Sequence, residues 1–195
     1  MQSIYDFTLN ELETYFLNTN EKKYRAGQIY EWLYQKKITN YEKMTNLSKV
    51  IINNLKINLD IKQLKLITKQ TDSDANKYLF ELTDGHKIET VLMKHDYGNS
   101  VCISTQIGCN MGCSFCESGK HKKVRDLTAG EMVLQVLQVE NDLTDRVSSV
   151  VLMGIGEPFD NYDNVIKFIK IINASKGLNI GIRHITISTC GLVPK

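Results

Sequence analysis

The sequence predicts an α/β fold, the opening part of a parallel (β/α) barrel preceded by a small helical module and a β-meander. Three observations carry this. Residues 1 to about 60 place apolar side chains at helical spacing, residues 61 to 98 switch to period two, and from residue 99 strand-like and helix-like stretches alternate in βαβαβ order. That order implies parallel strands with helices packed across them.

In the first region, Thr8-Leu9-Asn10-Glu11 reads as a capping box opening a short helix. Arg25 to Lys37 carries Ile29, Trp32 and Leu33 at helical spacing, and Leu47 to Leu55 repeats the pattern with Val50, Ile51 and Leu55. In the second region, Leu64 and Leu66, then Tyr78, Phe80 and Leu82, alternate as half-buried strands do. Asp84-Gly85 signals a hairpin turn, the next strand runs from Lys87 to Met93, and Tyr97-Gly98-Asn99 signals a further turn. This meander is expected to link the module to the third region, residues 99–195.

In that third region a strand is expected from Ser100 to Gln106, followed by a cysteine-bearing loop. Thr128-Ala129-Gly130-Glu131 is a second capping box, starting a helix that runs to about Asn141. Val147 to Met153 reads as a buried strand, Asn164 to Ala174 as a helix and Arg183 to Ser188 as a third strand. The two prolines, Pro158 and Pro194, each follow a strand. Loops after parallel strands are where such folds place their chemistry. A closed barrel takes roughly 250 residues, so this chain is expected to be incomplete, with its last strand an open edge.

At 195 residues, 42% hydrophobic and 24% charged, the chain has the make-up of a folded domain. A net charge of +2 does not mark a nucleic-acid binder, so any such role must come from local patches. No apolar run is long enough to span a bilayer, and the N-terminus lacks a secretory pattern, so a cytosolic location without membrane contact is expected. Four of the five cysteines fall between Cys102 and Cys116, which in a reducing compartment suggests metal binding or catalysis.

Cys109, Cys113 and Cys116 form a Cys-x3-Cys-x2-Cys run between Gly108 and Glu117. Thiolates on a compact loop suit an iron–sulfur cluster. Three ligands on a four-iron cube leave one iron open to a small chelating molecule, such as the amino and carboxylate groups of S-adenosylmethionine. A zinc site would need a fourth ligand, for which His121 is near but no second cysteine pair exists. A redox pair at Cys113 and Cys116 would leave Cys109 idle.

With Phe115 before the last cysteine, the motif resembles that of the radical S-adenosylmethionine superfamily. More narrowly, the chain resembles the RNA adenine carbon-2 methyltransferases of the RlmN/Cfr type. The resemblance includes Tyr24 to Tyr34, Gly108 to Gly119, Leu127 to Glu131, Gly154-Ile155-Gly156-Glu157-Pro158 and Ser188-Thr189-Cys190-Gly191-Leu192-Val193-Pro194. It implies a 4Fe-4S cluster on Cys109, Cys113 and Cys116, and S-adenosylmethionine held by Gly156, Glu157 and Ser188. It also implies Glu89 as proton acceptor and Cys102 as a resolving thiol, which forms a disulfide with a methyl-carrying cysteine as the protein–RNA bond is broken. That second cysteine is expected beyond Lys195, so the chain alone is expected not to turn over.

The implied partners are 23S ribosomal RNA and/or transfer RNA and a reducing electron donor. Residues 1–60 are the expected RNA-binding accessory module, with basic residues Lys22, Lys23, Arg25, Lys36 and Lys37. Lys120, His121, Lys122, Lys123 and Arg125 beside the cysteine loop are further phosphate-contact candidates. The alternatives are the sister activity at adenine carbon 8 and a non-catalytic cluster- or RNA-binding fragment.

Overall fold

The chain begins and ends its first sixty residues in one short parallel pair, β1 (Gln2–Ser3) against a strand at Leu59–Asp60. Between them, α1 (Leu9–Asn18) starts at the expected capping box: Thr8 Oγ1 accepts from Glu11 N–H at 3.3 Å, and Glu11 accepts in return from Thr8 N–H at 2.8 Å. α2 (Tyr24–Tyr30) passes directly into a wider π-helical turn over Glu31–Gln35. α3 (Lys49–Asn58), capped by Ser48, leads into β2 (Leu59–Asp60). The computed structural model describes residues 1–192, so Val193 and Pro194 of the expected motif lie outside the described residues.

Beyond the module come β3 (Lys65–Thr71), β4 (Ala75–Glu81), β5 (Lys87–His95) and β6 (Gly98–Cys102). A two-stranded neck follows, β7 (Gln106–Ile107) with β8 (Arg125–Asp126), then α4 (Ala129–Glu140), β9 (Val147–Leu152), α5 (Tyr162–Asn173) and β10 (Ile185–Ile187). Six strands make one sheet in the order β10-β9-β6-β5-β4-β3. β6, β9 and β10 run parallel, as the alternating pattern requires, while β3 to β6 pair antiparallel.

Several expectations need correction. The meander is no linker: His95 pairs with Gly98 across a tight turn, so the ladder continues unbroken from β3 into the parallel strands. The first parallel strand ends at Cys102 rather than Gln106, and the third is only Ile185–Ile187, because Ile182–His184 closes into a 3-10 turn. Leu66 is 50% exposed, since β3 is an edge strand with no layer over it. Val50 is 74% exposed, because the buried stripe of α3 is Ile51 and Leu55, one turn apart.

Alternation along the strands separates two faces. Tyr78, Phe80, Ile88, Leu92, Val101, Val150 and Leu152 are buried on the helix-covered face. Leu79, Glu89, Val91, Cys102 and Val151 lie half-exposed on the other. The helical module shares the main core rather than forming its own: Gly130 N–H at the start of α4 donates to Asp6 Oδ1 at 2.7 Å, and Lys37 pairs with Glu140 at 3.1 Å.

α4 is the hub of this packing, buried along nearly its whole length. Its capping box is reciprocal, with Thr128 Oγ1 accepting from Glu131 N–H at 3.2 Å and Glu131 accepting from Thr128 N–H at 2.9 Å. Thr128→Ala is expected to lower the unfolding free energy by about 1 kcal/mol, the usual cost of losing such a cap. Urea titration of both proteins measures this; an unchanged midpoint would count against the cap's contribution.

Candidate cofactor site at the cysteine loop

The three cysteines sit on the loop that the β7–β8 neck closes. Val124 N–H donates to Ile107 O at 2.7 Å and Cys109 N–H to His121 O at 2.9 Å, so both ends of the loop are held together. Gly108 adopts φ +72°, and any Cβ there would run into the Lys122 carbonyl, so only glycine fits this crossing. Cys109 is buried, Cys113 and Cys116 are half-buried, and all three are free thiols.

Where β6 leaves the sheet, buried side chains take over from the ladder. Gln135 of α4 brackets the Ser104 backbone, accepting from its N–H and donating to its carbonyl, each at 2.9 Å. The Ser104 hydroxyl donates to the Glu89 carbonyl at 2.7 Å and accepts from Ile155 N–H at 3.2 Å. One serine thus joins β5 to the turn after β9. Nothing in the sequence singled out Ser104 or Gln135; a lone glutamine on an apolar helix face was the available signal.

Glu157 closes the next gap. It is 4% exposed. Oε1 accepts from Phe159 N–H at 2.9 Å and from the Thr189 hydroxyl at 2.7 Å, and Oε2 accepts from Cys190 N–H at 2.8 Å. The carboxylate therefore ties the Gly154–Pro158 turn to the segment after β10. Ser188 continues β10, its N–H reaching Leu152 O at 3.4 Å, and is exposed beside that tie.

Glu89 and Cys102 share the half-exposed face of the sheet. Val91 is paired with Cys102, and Glu89 lies two residues from Val91 on the same side. The Glu89 carboxylate pairs with Lys77 Nζ at 2.7 Å. With Gly108, His121 and Lys122 of the cysteine loop, Glu89 lines a cavity of about 470 Å³ that also includes Ile155. Burial pushes the Cys102 thiol above its ordinary pKa. The implied disulfide is absent: among the described residues all five cysteines are free, including Cys102.

Two members of the basic run beside the loop, Lys123 and Arg125, are engaged in partly buried ion pairs. Arg125 is bound by both oxygens of Glu131, at 2.8 Å each, and by Asp84 of the β4–β5 turn at 2.6 Å. Lys123 pairs with Asp126 and Asp160, and Lys120 with Glu117. His121 and Lys122 are exposed.

The donor set suits an iron–sulfur cube. Three thiol donors on one loop match the ligand count of a four-iron cube with one iron left open, whereas a zinc site needs a fourth protein ligand. A cube takes each thiolate on a different iron, spreading the thiols further apart than one ion would.

Residues 2–61 match the Ribosomal RNA large subunit methyltransferase N-terminal domain, and residues 103–195 match the Radical SAM superfamily. The whole chain is 55% identical to a protein of Geobacillus kaustophilus described as "Probable dual-specificity RNA methyltransferase RlmN", covering 54% of it. A Bacillus cereus protein of the same description is 53% identical over 99% of this chain and 54% of its own length. The chain is similar along its length to the RlmN family of radical SAM proteins. A radical SAM methyltransferase from Sphaerobacter thermophilus has the same fold, with a TM-score of 0.91 and 39% identity over 100% of this chain and 58% of that one. The chain thus spans about half the length of the RlmN relatives it matches. The radical SAM family that residues 103–195 match implies a 4Fe-4S cluster and S-adenosylmethionine.

Burial opposes the charged form of Glu157, yet the bonds from Cys190, Thr189 and Phe159 outweigh it and hold the carboxyl below its ordinary 4.5. As pH falls, the unfolded chain takes up this proton first. The Glu157 bonds therefore contribute fully above about pH 4.5, and their contribution is lost as pH drops through the lower folded value. Thermal unfolding of the wild type and Glu157→Gln should differ most near neutral pH and converge in acid; a gap constant down to about pH 3 would exclude the carboxylate charge as its origin.

Proposed function

We propose that the protein to which this chain belongs methylates a ring carbon of adenine, carbon 2, in ribosomal and/or transfer RNA. The observation that carries the reading is the convergence at one end of the sheet of the three-cysteine loop, the Gly156–Glu157 turn and the Glu89–Cys102 face. In this reading Cys109, Cys113 and Cys116 hold the 4Fe-4S cluster, fed by a reducing electron donor. When bound, cluster and S-adenosylmethionine together supply radical chemistry.

This chain's residues then bind, orient and accept protons. Gly156 lets the backbone approach the cofactor, and Ser188 offers a hydroxyl beside it. Glu157 takes the cofactor's ammonium by exchanging one of its present donors. Glu89 opens toward the cavity, where it accepts the ring proton that must leave after addition. Lys77 keeps its carboxylate in place. Cys102, on the same face, serves as the resolving thiol.

Carbon 2 is taken over carbon 8 on the resemblance of Tyr24 to Tyr34 to the carbon-2 group. RNA contact is assigned to the module of residues 1–60 and to Lys122, with a cytoplasmic location; among the described residues no helix is long and apolar enough to cross a membrane.

Anaerobic reconstitution of the chain should load about four irons, with a reduced paramagnetic signal that shifts on adding S-adenosylmethionine. Cys109→Ala should abolish both. Zinc in place of iron would overturn the cluster assignment. Nucleoside analysis of RNA from cells making the full-length protein should then find 2-methyladenosine; 8-methyladenosine instead would overturn the carbon assignment.

Charge use separates the basic residues. Lys122→Glu should weaken RNA binding and lower the salt dependence by about one counterion, at unchanged stability. Arg125→Ala should act chiefly on stability, by freeing Glu131 and Asp84. Equal effects of both on RNA affinity alone would contradict this division.

A further inference from the structure

Four side chains close a ring of hydrogen bonds beneath the cofactor site. Gln106 Nε2 donates to Asp126 Oδ1 at 2.7 Å and to Asp160 Oδ2 at 2.9 Å. Lys123 Nζ reaches the same two oxygens at 2.8 Å and 2.7 Å. The other end of the Gln106 amide, Oε1, accepts from Glu157 N–H at 2.9 Å. Gln106 is fully buried, at 0% exposed.

The members come from different parts of the chain. Gln106 precedes the cysteine loop, Lys123 ends it, and Asp126 lies on the far strand of its neck. Asp160 follows the Gly154–Pro158 turn, and Glu157 belongs to it. Gly156 packs directly on Gln106: at φ +109° a Cβ there would stand 2.6 Å from Gln106 Cβ. An amide donates only from its nitrogen and accepts only at its oxygen. The two carboxylates therefore dictate which way the Gln106 amide faces, and that orientation presents its oxygen to the Glu157 amide.

We propose that Gln106, steadied by Lys123, is a positioning residue that sets the register between the three-cysteine loop and the Gly156–Glu157 turn. It reaches no reacting atom itself. The inference rests on the reading that the loop holds the cluster and the turn holds S-adenosylmethionine. A ligand gripped from both sides is sensitive to a shift between them, which is why positioning groups remote from the reacting atoms affect affinity and rate.

The ring makes a demand that can be read without any cofactor. In the cofactor-free chain, Gln106→Met should speed amide hydrogen exchange roughly tenfold at Glu157 and also at Cys109 and Val124, while β5 and α4 keep their protection. Lys123→Met, which leaves the Gln106 bonds in place, should give the same pattern more weakly. In reconstituted protein, Gln106→Met should keep its iron but bind S-adenosylmethionine roughly tenfold more weakly, with the cofactor-induced paramagnetic shift lost. Faster exchange confined to Glu157, or spread evenly over the sheet in both variants, would overturn the proposal. So would wild-type affinity in a variant that has lost the ring. Failure of the wild type to load iron would instead sink the cofactor reading, and the exchange pattern would still decide whether Gln106 couples the two segments.

Discussion

β6 leaves the sheet after Cys102, and the backbone groups of the next three residues, all buried, must find partners outside a ladder. The chain answers this demand group by group. Ile103 N–H goes to Val151 O at 3.0 Å, and Ile103 O accepts from Gly154 N–H at 3.0 Å. Gln135 takes both groups of Ser104. Thr105 and Gln106 N–H both turn to Ile155 O, while Thr105 O accepts from Leu127 N–H and from Asn161 Nδ2. The partners lie on β9 and the turn after it, on α4 and its approach, and just before α5. Satisfying one strand end therefore fixes the positions of the turn after β9, the start of α4 and the start of α5.

This arrangement puts polar residues where a barrel would ordinarily be packed with apolar ones. Gln106, Gln135, Ser104, Glu157 and Asn161 are all buried, and the polar groups of their side chains are hydrogen-bonded. A buried network of this kind is worth having only if complete, because a buried donor or acceptor left without a partner costs about 1–3 kcal/mol. Losing one member therefore affects more than one loop. Arg125 acts similarly at the rim, spanning Glu131 and Asp84, so a side chain that reads as a phosphate contact is a brace between hairpin and helix.

Much of the frame was legible in the sequence because it depends on local chemistry. Both capping boxes, the Asp84-Gly85 turn and the strand–helix alternation appear where residue type and spacing put them. The three cysteines and the Gly154–Pro158 turn were equally visible, since their spacing is contiguous. What could not be read was long-range. Nothing local tells that β6 pairs with β9 to make meander and barrel one sheet, or that the module shares a core with α4. The occupation of Glu157 by Cys190 and Thr189 joins residues more than thirty positions apart. The pairing of Arg125 with Asp84 and of Lys123 with Asp160 likewise joins residues remote in sequence.

The β7–β8 neck has an entropic meaning. Bringing the ends of a loop together costs conformational freedom, and the cost is met once, by whichever interaction closes the loop. Here the pairing of Gln106 with Asp126 and of Ile107 with Arg125 closes the segment from 108 to 124 within the fold itself. An inorganic cluster arriving at the loop has no chain ends to gather. It has only the rotamers of three cysteines and the intervening backbone to settle, so most of its binding free energy is left to show as affinity.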